Sequence, residues 1–210
     1  KSTPGHDNVP YEVYNNLHPA WKDMLLKLFN MIWKSGVVPN ACKHALFIPI
    51  LKADKDPHNV NSYRPISLLP CFIKIMERMV KERLNWFVEK HDILPPFQLG
   101  FRKGRSAMDN VVFLENIIQK NINIKNQVMT VFLDLEKAYD TLNIEGLLCK
   151  LDERGVKGRM LVFLYNYLTD RSYQVRINNQ CSEIKKLRKG LPQGSILSPL
   201  LFNIMMSDIP

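Results

Sequence analysis

The amino-acid sequence predicts an α+β fold, and three observations carry that prediction. Several stretches place apolar residues at helical spacing, the longest at 67–91. VMTVFLD, at 128–134, is a β-branched apolar run of strand length. After residue 128 the order reads strand, helix, helix, hairpin, helix, which lacks the regular alternation of a doubly wound sheet.

In chain order, residues 1–10 are polar, with Pro4 and Pro10, and read as an extended lead-in. AWKDMLLKLFNMIWK (20–34) is an amphipathic helix closed by Gly36. HALFIPILK (44–52) is a strand whose Pro49 cannot donate to a ladder, which points to an edge or a bulge. ADKDPHNVN (53–61) is a polar loop. A long helix follows Pro70 and runs towards His91, with Glu77 and Lys81 spaced as an i,i+4 pair. ILPPFQLGFRKGRS is a Pro/Gly-rich crossing segment, and a helix runs from Asp109 to near Asn121. The 128–134 run then predicts a short buried strand. NIEGLLCKLDERG is an amphipathic helix ended by Gly155, and RMLVFLYNYLTD is another. YQVRI and EIKKLRK read as a hairpin. The last helix spans Ser195 to Asp208, with Ser195 as its cap and Pro199 in its first turns.

Lys plus Arg number 29 against 20 acids, a net charge of +9. That surplus suits a polyanionic partner, because each neutralised phosphate releases counterions. It also suits an ordinary basic surface. Cys42, Cys71, Cys149 and Cys181 are dispersed, with no CxxC, and the five histidines lack metal-ligand spacing. A zinc site, a redox motif or a disulfide framework is therefore not expected. Reduced thiols in an intracellular setting, nuclear or cytoplasmic, are. No apolar run reaches the roughly 18 residues of a membrane span, so no membrane partner is expected. The chain opens on Lys1 and ends soon after an amphipathic pattern, which predicts an internal piece of a longer protein.

The chemistry concentrates in two stretches. Asp134 ends an otherwise apolar run, and an ionised carboxylate there must find water, hydrogen bonds or a cation. It serves either as a cap for the next turn or as a hard oxygen ligand for Mg2+. In GLPQGSILSPLLFNI (190–204), Gly190 and Gly194 permit backbone geometry and close approach that a Cβ would block. Gln193 offers both donors and an acceptor to the base or ribose edge of a nucleotide. An ordinary glycine turn before a capped helix is the plainer alternative.

Together, VMTVFLDLEKAYDTL and GLPQGSILSPLLFNI resemble the first and second palm motifs of reverse transcriptases, especially those of non-LTR (LINE-like) retrotransposons. The resemblance implies a right-hand polymerase fold of fingers and palm, with the thumb absent. Residues 1–43 would be an N-terminal extension, 44–125 the fingers and 126–210 a partial palm. It implies Asp134 as the catalytic, metal-binding aspartate, with the backbone carbonyl of Leu135 as a second ligand. Tyr139 would pack under the incoming sugar and exclude a 2′-hydroxyl. Asp140 reads as an acid at a helix start rather than a ligand. The cofactor implied is Mg2+, two ions in the intact enzyme about 4 Å apart. No adjacent Asp-Asp pair occurs in the sequence, so the third palm motif is missing.

Upstream, IPILKADKDPHNVNSYRPISLL resembles the family's finger segment, which implies triphosphate contacts from Lys52 and Arg64. Arg supplies a bidentate fork and Lys a point charge. Lys55 is an alternative to Lys52, and a solvated basic loop is the plainer reading. QLGFRKGRSAMDN resembles a template-contact stretch, implying Arg102 and Arg105, with Gly194, at template and primer. A charged surface loop with Phe101 in the core is the alternative. Near the start, STPGHDNVPYEVY departs from the family's second glycine, so any positive φ falls on Asn8.

The function implied is an RNA-directed DNA polymerase of a retroelement. Its partners would be an RNA template, a DNA primer or RNA/DNA duplex, and dNTP. A decayed or domesticated nucleic-acid-binding relic is one alternative. An RNA-dependent RNA polymerase is another, against which the bulky Tyr139 argues.

Overall fold

The computed structural model describes residues 3–178 and 180–209; Lys1, Ser2, Asn179 and Pro210 lie outside it. The elements are α1 (Tyr11–Asn15), α2 (Pro19–Ser35), α3 (Asn40–Lys43), β1 (His44–Leu51), a 3-10 turn (Val60–Ser62), β2 (Tyr63–Leu68) and α4 (Cys71–Lys90). There follow α5 (Ala107–Asn123), α6 (Ala138–Thr141), α7 (Ile144–Glu153), α8 (Gly158–Leu168), β3 (Arg171–Ile177), β4 (Gln180–Cys181), β5 (Lys185–Leu187) and α9 (Ser198–Met205).

The helix signals in the sequence act locally. Gly36 closes α2 in the left-handed region, its N–H bonding Ile32 O at 2.8 Å. Asn143 caps α7 by accepting from Glu145 N–H. Asn8 does take the positive φ, at 54°, in a turn whose N–H bonds Gly5 O.

The sheet runs β2-β1-β3-β4, with β5 also paired to β3. β1 is thus interior, not the edge that its proline suggests. It pairs antiparallel with β2 and parallel with β3. The register explains how Pro49 is tolerated. Lys52 N–H bonds Ser62 O at 2.8 Å, and bonded pairs alternate along an antiparallel ladder. Pro49 faces Pro65 at the intervening pair, where neither would donate across. On the other side, pairing to β3 ends at Phe47. β2 lies in YRPISL, which has a central proline and no clear alternation; its strand state comes from pairing with β1.

The core gathers one face each of α2, α4, α7, α8 and α9, through residues such as Ile32, Ile73, Leu84, Leu147, Phe163 and Leu201. The polypeptide from 128 to 135 departs from expectation. It forms no strand and no pairing, and Phe132 and Leu133 are 84% and 86% exposed. An apolar run is buried only where a second layer covers it, and none does among the described residues. The helix before it, α5, likewise has no buried residue.

Glu77 is also not in an exposed pair with Lys81: it is fully buried. Ser195 does not cap the last helix, which begins three residues later at Ser198. Its hydroxyl is instead drawn to Glu77.

Candidate functional site

A cleft of about 670 Å3 opens between the β1–β2 ladder and the segment 134–140. Five of the residues singled out from sequence line it: Lys52, Arg64, Asp134, Leu135 and Gln193. Its apolar wall is Phe47, Pro49 and Val175. Lys52 follows directly on β1 and Arg64 comes from β2, so the antiparallel ladder sets both cations on one rim. Lys52 Nζ donates to Asn61 O at 3.0 Å. Lys55 does not line the cleft.

Lys137 and Asn61 join the cleft without having been singled out. Lys137 sits at φ 52° before α6, and its Nζ reaches Asn61 Oδ1 at 3.1 Å. Its signal in the sequence is a cation enclosed by Asp134, Glu136 and Asp140. The lining therefore carries Lys52, Arg64 and Lys137 against those three acids.

The 190–196 turn is docked onto this segment by its backbone. Gly190 N–H bonds Leu142 O at 2.9 Å and Leu191 N–H bonds Tyr139 O at 2.7 Å. Ser67 N–H of β2 bonds Gln193 O at 2.7 Å. Gln193 Nε2 donates to Asp140 Oδ1 at 2.8 Å, so Asp140 is part of the site as well as an acid at a helix start. Both glycines have physical reasons. A Cβ on Gly190 would stand 2.6 Å from Asp140 O, and one on Gly194 2.6 Å from Ser67 O. Both also have positive φ, 91° and 125°.

Tyr139 is half-buried, stacked on Phe202 with ring centroids 5.1 Å apart. It also borders a smaller cavity with Ile66, Gln193 and Gly194. Packing and cavity lining thus coexist in one ring. Burial holds its phenol above the ordinary tyrosine value.

The 98–105 loop behaves differently. Arg102 forks onto Glu89, with Nη2 to Oε2 at 2.7 Å and Nε to Oε1 at 3.2 Å, and also bonds Pro95 O. This arginine fastens the loop to α4 instead of standing free for a template phosphate. Arg105 is exposed, and Phe101 is 66% exposed, so the ring is not in the core.

Asp134 and Leu135 supply hard oxygen donors to the cleft. Mg2+ is usually held by one or two carboxylates together with water and substrate phosphates, so this donor set fits it. Among the described residues, no group of three or more His, Cys, Asp or Glu side chains converges to hold a metal by itself. No helix among them is long and apolar enough to cross a membrane.

Comparison with known proteins agrees with the two motifs. The family model for reverse transcriptase (RNA-dependent DNA polymerase) matches residues 50–210. The chain is 34% identical over 210 residues to the probable RNA-directed DNA polymerase from transposon BS of Drosophila melanogaster, covering all of this chain and 23% of that protein. It is 33% identical, with the same coverage, to the RNA-directed DNA polymerase from mobile element jockey of the same species. It is 26% identical to the retrovirus-related Pol polyprotein from type-1 retrotransposable element R2 of Popillia japonica, covering 28% of it. The chain thus spans less than a third of the length of these relatives. With its two motifs meeting at one cleft, the chain belongs to the reverse transcriptase family, among the RNA-directed DNA polymerases of non-LTR retrotransposons.

Proposed function

We infer that this chain forms the nucleotide site of an RNA-directed DNA polymerase that extends a DNA primer on an RNA template. The observation that carries the reading is the convergence of Lys52, Arg64, Asp134 and Gln193 on one cleft from three separate stretches of sequence. Residues 44–125 act as fingers and 126–210 as part of the palm, behind an N-terminal extension. The β1–β3 pairing joins these parts in one sheet, so the division is one of motif rather than of folding.

The roles follow from side-chain chemistry. Arg64 grips phosphate oxygens with two parallel N–H donors, and Lys52 adds a point charge. Gln193 meets the base or ribose edge while Asp140 orients its amide. Tyr139 closes the floor under the sugar. Asp134, with the carbonyl of Leu135, would hold Mg2+. When bound, that ion neutralises the triphosphate charge that builds at the leaving group.

Calorimetric titration of the chain with dTTP in Mg2+ tests the site. Asp134→Asn keeps the shape and removes the charge; Arg64→Ala removes the fork. Each should weaken dTTP binding about tenfold or more, the scale of a lost charge-assisted hydrogen bond. Binding indifferent to both substitutions would mean that the nucleotide sits elsewhere.

A further inference from the structure

We propose that Glu77, which does not line the cleft, is a positioning residue that clamps the 190–196 turn and so sets Gln193 against the nucleotide. The inference rests on the nucleotide-site reading above. Glu77 lies on α4 with none of its surface exposed. Three donors converge on its carboxylate: Tyr167 Oη at 2.6 Å, Ser195 Oγ at 3.0 Å and the Ile196 backbone N–H at 2.6 Å. Ser195 Oγ in turn accepts from Leu197 N–H at 3.1 Å. Tyr167 belongs to α8, and the buried Arg171 of β3 stands over its ring, 4.9 Å from the centroid, with Nη1 on Tyr167 O. One carboxylate thus joins α4, α8 and the turn, with a buried cation behind them.

Burying a carboxylate is costly, and an apolar replacement of similar volume is often as stable. What the carboxylate supplies here is direction. The turn contains two glycines at positive φ, so its own backbone is weakly restrained. Its front is tied to Tyr139, Leu142 and Ser67 by single backbone bonds. Its back is tied by Glu77, the one carboxylate there among the described residues, with Tyr167 Oη also 3.0 Å from Ser195 Oγ and Ser198 Oγ donating to Pro192 O at 2.9 Å. Gln193, two residues before Ser195, inherits that fixation. Lys52, Arg64 and Lys137 lie on other segments and do not.

This separation gives the test. Wild type, Glu77→Gln and Tyr167→Phe are titrated with dTTP–Mg2+ and with inorganic tripolyphosphate, well below their melting temperatures. Glu77→Gln should bind dTTP about tenfold more weakly, the scale of one weakened bond to a charged group, with tripolyphosphate affinity unchanged. Tyr167→Phe, which removes one donor at constant charge, should show the same selective loss, smaller. That result carries the proposal even where Glu77→Gln fails to fold. A purely structural carboxylate would lower both affinities together or neither. Equal loss of both probes, or an unchanged dTTP affinity in the folded variants, overturns the clamp. Wild type that binds tripolyphosphate and dTTP equally removes the nucleotide-site reading itself, and the clamp with it.

Discussion

At the residue scale, Tyr139 shows how one side chain serves two ends. Its ring stacks on Phe202, which fixes it, and it borders the cavity beside Gln193 and Gly194. On the function proposed above, a sugar seated there has its 2′ position against the ring. Tyr139→Ala opens that space, so the preference for dCTP over CTP should fall about tenfold, a difference worth about 1.4 kcal/mol. Competition between the two nucleotides for the chain measures it. An unchanged preference would return Tyr139 to a packing role. The same substitution removes the Phe202 stack, so the urea midpoint should fall too, and the competition must be read on folded protein.

At the element scale, legibility followed how local the cause was. The α2 stop at Gly36 and the α7 cap at Asn143 depend on neighbours in the chain, and both are visible in the sequence. β2 is not, because a strand with a central proline is made by its partner. Glu77 is not, because its three donors lie 90 to 119 positions away. The 128–134 run misleads for the opposite reason: its composition asks for a covering layer that the described residues do not provide. Residues of the cleft were legible where a motif named them, as with Asp134 and Gln193. Lys137 and Asn61 lie within the quoted motifs, but their meeting across the cleft, 76 positions apart in sequence, comes only from folding. Arg102 matched a motif and yet is spent on Glu89. The turn is the element most open to a direct test. Gly194→Ala drives a Cβ to 2.6 Å from Ser67 O at a φ of 125°, and neither atom is the end of a flexible side chain. The variant should lose about 1–3 kcal/mol of unfolding free energy, read by urea titration. Gly104→Ala, which also has positive φ but meets nothing within 4 Å, should lose less.

At the scale of the whole molecule, charge is the property that no single element explains. The chain carries +9, and nucleic acid is the polyanion its family handles. Binding to an RNA/DNA duplex should weaken steeply with salt, because phosphate contacts release counterions. The structure further separates two arginines that the sequence treats alike. Arg102 is three-quarters enclosed or more, with 14% of its side chain exposed, and its fork is filled by Glu89. Arg105 is exposed. Arg105→Ala should therefore lower duplex affinity and reduce the slope of log affinity against log salt by about 0.7–0.9, the loss of one phosphate contact. Arg102→Ala should leave that slope unchanged and lower thermal stability instead, because Glu89 loses its partner and the 98–105 loop loses its tie to α4. Fluorescence anisotropy across a salt series reads both slopes. Equal slope changes in the two variants would show that Arg102 leaves Glu89 for the backbone phosphates when nucleic acid arrives, and the loop would then be a template contact held in reserve by an internal carboxylate.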